Sequence, residues 1–354
     1  MSHAVIIPIY CENKNTIHLC NELQELGAEY IVVVNDGLNP HSEYFNELTS
    51  IGCHIVSLKN NNGKGASLKA GIRYAHDNLY NVTGYITCDA DGQHTANDVM
   101  KISRMLDLRN GSLILGKRDY KKSKMPLNIR IGNRLSSAYF KVITGKSCSD
   151  TQTGLRGIPA FLYDTVIKTK GNRFDFEMNF LTKCADMRVP FYFVNIIADC
   201  SNCSSNFRLI QDTYLIYRTP LRFATASLGC TAIDLILFTV FAYILPSHMF
   251  FNIMLATLMA RVVSGGINFL INRKVIFGNT TDGAKQALRF FILFFCIMCA
   301  SSLIVSTLWF LPVPVTLTKA IVDLLLWAVN YKMQRIWVFK DDKRLKRTPR
   351  RKQK

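Results

Sequence analysis

The chain has 354 residues, with 43 Lys and Arg against 25 Asp and Glu, and 49% of it is hydrophobic. That length holds two domains, and the charge is uneven: residues 220–354 carry 18 basic and 5 acidic groups, the first 219 residues 25 and 20. The excess basic residues interrupt long apolar runs, which excludes a basic nucleic-acid-binding globule, and the eleven cysteines show no disulfide framework.

Strands are predicted at Ala4–Tyr10, Tyr30–Asn35, His54–Leu58, Gly84–Cys88 and Ser112–Gly116. Helical periodicity fills the intervals Lys14–Leu26, Tyr44–Ile51, Gly65–Leu79 and Ala96–Leu108, and returns over Leu127–Ile143. Strands alternating with helices predict a mostly parallel α/β sheet covered on both faces. No charged segment followed by an apolar one precedes the first strand, so no cleavable leader is expected and the first domain belongs in the cytoplasm. Cys200 and Cys203 form a lone CxxC, read as packing rather than zinc.

Ligands on such sheets bind at the C-terminal strand ends. The run from Tyr85 to Cys88 ends in Asp89-Ala90-Asp91-Gly92-Gln93-His94. On an extended strand Asp89 and Asp91 project to one side, where they repel unless a cation lies between them. Mg2+ takes one or two carboxylates and completes its shell with water and phosphate oxygens, so the pair reads as a metal–diphosphate site. A solvated acidic turn is the plainer alternative. Asn62-Gly63-Lys64-Gly65 opens a helix and lacks P-loop spacing; Lys64 either meets a phosphate there or merely belongs to loop punctuation. Arg130 and Arg134 share a helix face and, with Arg118, suit a second phosphate.

Six segments, in order, carry a family resemblance: Ile7-Pro8-Ile9-Tyr10-Cys11-Glu12, Val34-Asn35-Asp36-Gly37, Asn62-Gly63-Lys64-Gly65, the Asp89–His94 run, Gly116-Lys117-Arg118, and Asp150-Thr151-Gln152-Thr153-Gly154-Leu155-Arg156. The sequence resembles glycosyltransferase family 2 enzymes of GT-A fold, especially dolichyl- and undecaprenyl-phosphate sugar transferases. The resemblance implies that Pro8, Tyr10, Glu12 and Asp36 hold the nucleotide of a nucleotide sugar, with Lys64 helping. It implies that Asp89 and Asp91, with Gln93, hold Mg2+ or Mn2+ and the diphosphate. Arg118 and Arg130, and less directly Arg134, would take the acceptor phosphate, and Gln152 and Arg156 would line the sugar or phosphate region. Asp89, Asp91, Arg118 and Arg130 are then the expected catalytic set. Glu177 matches an acidic family position without an assigned role. Cys11 and Asn35 depart from the family's usual Asn and Asp. The implied reaction is a single inverting displacement from a UDP-glucose or GDP-mannose type donor to undecaprenyl or dolichyl phosphate. The phosphate is already anionic and needs no general base.

Four apolar stretches follow, at Phe223–Leu245, Phe250–Asn272, Leu288–Leu311 and Val315–Phe339, each long enough to cross a bilayer. The connectors Pro246–Met249 and Pro312–Pro314 lack Lys and Arg, whereas the middle connector and the tail from Lys340 are basic. The positive-inside rule places these basic segments, the first domain and both termini in the cytoplasm of a multi-pass cell-membrane protein. An internal repeat is legible: Asn268-Phe269-x-x-Asn272-Arg273-x-x-x-Phe277 matches Asn330-Tyr331-x-x-Gln334-Arg335-x-x-x-Phe339 at an offset of 62. Asp234, Arg261, Lys319 and Asp323 lie within the spans, as structural ion pairs or as a polar track for a lipid phosphate. This half resembles GtrA-like four-helix membrane domains, which implies handling of lipid-linked sugars. The expected division is residues 1–219 (GT-A domain), 220–340 (membrane domain) and 341–354 (a basic tail facing anionic lipid). No nucleic-acid partner is expected, and homo-oligomerisation is left open. The competing readings are a processive polysaccharide synthase, which should carry QxxRW and does not, and a non-catalytic transporter or scaffold.

Overall fold

The computed structural model describes residues 2–118, 127–197, 209–244, 250–276, 283–307 and 315–339. The chain divides into two compact units, Met1–Ile216 and Tyr217–Lys354.

The first unit runs β1 (Ser2–Ile9), α1 (Lys14–Glu25), β2 (Tyr30–Asp36), α2 (Glu43–Ser50), β3 (His54–Leu58), α3 (Lys64–Asn78), β4 (Val82–Thr87), α4 (Ala96–Leu108) and β5 (Leu113–Arg118). It continues with α5 (Leu127–Thr144), β6 (Arg156–Pro159), α6 (Tyr163–Ile167), α7 (Asp175–Asp186) and β7 (Phe191–Ile196). The seven strands lie in the order β3-β2-β1-β4-β6-β5-β7. All neighbours pair in parallel except β6, which is antiparallel to both β4 and β5. The five strands legible in the sequence are therefore joined by two more, β6 and β7. One row crosses the middle of the sheet: Thr87 on β4 faces Arg156 on β6, and Arg156 faces Leu115 on β5.

The inner strands are continuous apolar runs because both faces are covered. Alternation sends Val5, Ile7 and Ile9 into one core with Leu19, Leu23 and Ile102, and Ala4 and Ile6 into the other with Leu68, Ile72 and Phe180. Helix starts are marked by side chains that accept orphan N–H groups: Asn13 from Asn15, and Thr95 from Asp98.

Helix α8 (Leu209–Ile244) begins in the first unit and continues into the second, which also holds α9 (Phe250–Ile271), α10 (Gly283–Thr307) and α11 (Val315–Met333). Each of α9 and α11 passes into a π-helical turn, Asn272–Ile276 and Gln334–Val338. The two turns start 62 residues apart, the offset of the sequence repeat. Their first residues touch: Asn272 Nδ2 donates to Gln334 Oε1 at 3.0 Å and to Asn268 Oδ1 at 2.8 Å, while Gln334 Nε2 donates to Asn330 Oδ1 at 3.1 Å. Phe269, Phe290, Leu293, Val338 and Phe339 form an apolar cluster in the same unit. Among the described residues, Leu221–Phe241 and Gly283–Ala300 are long and apolar enough to cross a membrane, with mean hydropathies of 1.7 and 1.5. Asp234 accepts from Ser264 Oγ at 2.7 Å. The side chains of Arg261, Lys319 and Asp323, the basic tail and the 200–203 cysteine pair lie outside the described residues.

Candidate active site

The polar clusters gather past the C-terminal ends of β1, β2 and β4. Pro8 is buried in β1, and Tyr10 and Glu12 follow it on the surface. In the next strand Asp36 is buried and braces the loop before α3: its Oδ1 accepts from Asn62 N at 2.8 Å and its Oδ2 from Gly63 N at 2.9 Å. Gly37 (φ 91°) lies so close to the backbone of Asn60 and Asn61 that a Cβ would collide with it. Asn35 turns the chain here, accepting from Leu38 N at 2.7 Å.

The carboxylate pair sits just beyond the strand rather than on it. β4 ends at Thr87, and Asp89 and Asp91 lie in the loop that follows. Strand alternation therefore does not orient them. The first turn of α1 does so instead: Thr16 Oγ1 donates to Ala90 O at 2.9 Å and Asn15 Nδ2 to Asp91 O at 3.4 Å, and Gly92 (φ 83°) packs on Asn15. Gln93 donates to Asp91 through both its backbone N, at 3.1 Å, and its side-chain amide.

Lys64, the first residue of α3, reaches this loop. Its Nζ is 2.6 Å from Asp89 Oδ1 and 3.3 Å from Glu177 Oε1. Arg156 Nη2 stands 3.8 Å from the same Glu177 oxygen. On the far side of Asp89, His94 Nε2 is 3.7 Å from Oδ2, and neither ring nitrogen of this buried histidine has a hydrogen-bond partner. Burial disfavours the Asp89 charge, but Lys64 and then His94 outweigh it and hold the carboxyl far below the usual carboxylate range. Burial also works against the Lys64 charge, and Asp89 and Glu177 more than offset that, so its pKa is raised. Asp91 goes the other way: burial, then the Asp89 charge, push its carboxyl above the usual range. Lys64 and Arg156 balance Asp89 and Glu177, which leaves the Asp91 charge in excess.

A second group of residues fastens this one from the direction of β5. Arg118 forms a bidentate pair with fully buried Asp150, Nε to Oδ2 at 2.7 Å and Nη2 to Oδ1 at 2.8 Å. Asp150 opens the loop that runs to β6. Thr87 Oγ1 donates to Gly154 O at 2.7 Å, and Gly154 lies directly on the Asp89 carboxylate. Arg156, 2% exposed, donates to Thr153 O, Glu177 O and Thr151 O. It thus organises the loop and Glu177 from inside the protein. Gln152 is half-buried on the same loop, its N donating to Asp150 Oδ1 at 3.3 Å. α5 is pinned to the loop through Asn133, which accepts from Thr151 N at 3.2 Å and donates to Ser149 O at 3.2 Å. Arg130, three residues earlier, shares that side of α5, whereas Arg134 is exposed. Ile131, Leu135 and Val142 are also exposed, in line with Ala138, so α5 presents an apolar stripe flanked by Arg134 and Lys141.

The structure thus brings Lys64, Asp89, Asp91, Gln93 and Arg156 into one cluster, and ties Arg118 to it through the Asp150–Gly154 loop. Tyr10 and Glu12 stay on the neighbouring strand end. Sequence reasoning did not single out Asp150 or Gly154 by themselves, although both lie in a segment it quoted, nor did it fix a place for Glu177. Among the described residues no three His, Cys, Asp or Glu side chains gather as a metal cage. The donors that are present, two carboxylates and one carboxamide, suit a hard cation that completes its shell with water and substrate oxygens. The excess charge on Asp91 is what such a cation would offset.

A mostly parallel seven-stranded sheet with acidic residues past its C-terminal edge is the arrangement of a GT-A transferase domain. Residues 4–165 match the glycosyl transferase family 2 model, and residues 222–339 match the GtrA/DPMS transmembrane domain. An uncharacterised protein of Methanocaldococcus jannaschii is 34% identical over 188 residues, 50% of this chain and 73% of that protein. The UDP-N-acetylglucosamine–dolichyl-phosphate N-acetylglucosaminyltransferase of Methanococcus voltae is 28% identical over 172 residues, 43% of this chain and 67% of that protein. Among solved structures, the Mycobacterium tuberculosis glucosyl-3-phosphoglycerate synthase with Mn2+, UDP-glucose and phosphoglyceric acid has a TM-score of 0.49 at 13% identity, over 62% of this chain and 77% of that one. The chain belongs to glycosyl transferase family 2 and is a glycosyltransferase carrying a GtrA/DPMS transmembrane domain, hence a membrane protein.

Proposed function

We propose that the protein transfers a hexose from a nucleoside diphosphate sugar to a polyprenyl phosphate. One observation carries this reading: two carboxylates, Asp89 and Asp91, follow β4, and Lys64 at a helix N-terminus pairs with Asp89, while burial and the Asp89 charge raise the Asp91 carboxyl. This is a site in want of a cation and able to accept a diphosphate. The acceptor reading is supported by the exposed stripe of α5, where Ile131, Leu135 and Val142 lie among basic residues on the helix that carries Arg130. A stripe of that composition suits an anionic lipid surface. The relative from Methanococcus voltae, named for transfer to dolichyl phosphate, agrees with such an acceptor.

Tyr10 and Glu12, with the loop braced by Asp36, would hold the nucleoside, and Lys64 a phosphate oxygen. Asp89 and Asp91, with Gln93, would hold Mg2+ or Mn2+. Such an ion supplies neutralisation of the charge that builds on the departing diphosphate. Arg130 would orient the acceptor phosphate, with Arg134 at the surface, and Arg118 and Arg156 would hold the shape of the sugar-facing loop through Asp150 and Thr151. An acceptor oxygen attacks the anomeric carbon, and the bond to the diphosphate breaks with its electron pair leaving on the nucleotide. Holding the two in line is the main task, because the nucleophile is already ionised. The first unit and the basic connectors face the cytoplasm, and the second unit carries the four spans and handles the lipid product.

The test is a screen of UDP- and GDP-sugars with undecaprenyl phosphate and the full-length protein, reading the lipid product by mass spectrometry. A polyprenyl-phosphate hexose is expected. Sugar transferred only to water or to a growing polysaccharide would overturn the reading.

A further inference from the structure

The cluster around Lys64 contains an oxygen whose environment the reaction above does not use. Glu177, in the first turn of α7, is buried, and its Oε1 lies within 3.8 Å of two cations, Lys64 and Arg156, yet accepts no hydrogen bond. Lys64 Nζ instead makes its close contact with Asp89, at 2.6 Å. Glu177 is also firmly placed. The start of α7 and the start of α3 clasp each other: Lys69 Nζ donates to Gly171 O at 2.6 Å, and Ala66 N to Asn172 O at 2.9 Å. Gly65 packs so tightly on Phe176 that a Cβ there would collide with it. Lys64 and Glu177 therefore sit on facing helix starts whose separation is set by these contacts, while Asp89 approaches from a different loop.

We propose that Lys64 and a divalent cation compete for Asp89, that Lys64 changes partners when donor binds, and that Glu177 is the positioning residue that retains it. The proposal rests on the donor reading above. The Lys64 ammonium neutralises Asp89. A divalent cation competes for the same carboxylate. Once displaced, Lys64 needs a second counter-charge to remain ordered in a buried site, and an uncompensated ammonium there is costly. Glu177 Oε1, 3.3 Å away with its acceptor capacity unspent, meets that need and leaves the remaining donors of Lys64 turned to the incoming diphosphate. Arg156, which donates to the Glu177 backbone carbonyl at 3.0 Å, keeps that residue in place throughout.

Exchange of partners has a signature that a static structural ion pair lacks, a change of sign. Mn2+ binding to the full-length protein is followed by electron paramagnetic resonance, alone and with saturating UDP or GDP. Lys64→Met should tighten Mn2+ binding alone, because its competitor is gone, and weaken it in the presence of nucleotide. Glu177→Gln should weaken the Mn2+–nucleotide complex about tenfold, Glu177→Asp should recover part of that, and the effect should shrink to about twofold or less in the Lys64→Met background. If Lys64→Met weakens Mn2+ binding under both conditions, Lys64 does not compete with the cation and the proposal fails. An equal Glu177→Gln effect in both backgrounds would also overturn it, since Glu177 would then act without Lys64. Wild-type protein that binds Mn2+ with neither nucleotide overturns the donor reading itself, and this proposal with it.

Discussion

The two units each bury a polar network, and the networks differ in kind. In the membrane unit, Asn268, Asn272, Gln334 and Asn330 form a neutral ladder built from positions equivalent in the repeat. In the first unit, Lys64, Asp89, Asp91, Glu177 and Arg156 form a charged cluster drawn from four separate segments, with an excess carboxylate and a glutamate oxygen that accepts nothing. The ladder joins repeat equivalents without any charge, and although its Asn272 Oδ1 accepts nothing, a neutral network of this kind specifies register between helices. A charged cluster left unbalanced has a conformation and a proton occupancy that a ligand will change. The contrast separates what holds the molecule together from what the molecule works with.

Substitutions should respect that separation. The largest effect is expected at Asp91→Asn, which removes the excess charge: sugar transfer should fall about a thousandfold, with the thermal unfolding midpoint unchanged or raised. An unchanged rate would break the comparison at its strongest point. Gly154→Ala comes next. Its backbone tolerates a side chain, but a Cβ would overlap the Asp89 carboxylate. Transfer should drop about a hundredfold while circular dichroism stays native, as expected for a small misplacement at a reacting centre. In the membrane unit, Asn272→Leu should cost about 1–3 kcal/mol in detergent unfolding because it leaves Gln334 Oε1 without its donor. The double replacement Asn272→Leu with Gln334→Leu should recover most of that loss. Failure to recover would mean that the ladder does more than set register.

The smallest effect concerns pH. The Asp91 carboxyl is raised above its ordinary value by burial and by Asp89, so protons compete for it at a higher pH than for a surface aspartate. Mn2+ affinity should fall, by up to about tenfold per pH unit, as pH drops through that raised value, and Asp91→Asn should flatten the profile. The same raised carboxyl costs folding free energy when ionised, so its contribution to instability should disappear as pH falls through the same range. Asp89, held low, works in the opposite sense: the stability it lends is present above the ordinary aspartate pKa and is lost only in strong acid.

Much of the first unit was legible in the sequence because β1, β2 and β4 are nearly continuous apolar runs that end in polar clusters. β6 was not: it is four residues, Arg156-Gly157-Ile158-Pro159, beginning with a charge and ending in proline. That charge is tolerable only because three carbonyls, with Glu177 nearby, receive the guanidinium, which no local pattern announces. β7 has the composition of a strand, but its place beside β5 is a long-range fact. In the site, the carboxylate pair and Lys64 could be read from spacing. Contact of Lys64 with Asp89 could not, since it depends on where α3 begins relative to a loop 25 residues later. The 62-residue repeat was legible, and the pairing of its two amides was not, because a repeat in sequence does not say which equivalent positions meet.

The antiparallel strand β6 also serves as a ruler. It pairs with β4 on one side and β5 on the other, so it holds the strand that leads to Asp89 and the strand that ends in Arg118 two strand spacings apart, about 10 Å. Direct pairing of β4 with β5 would halve that gap. In the proposed reaction that interval leaves room for a sugar ring between the diphosphate at Asp89 and the loop that Arg118 shapes through Asp150.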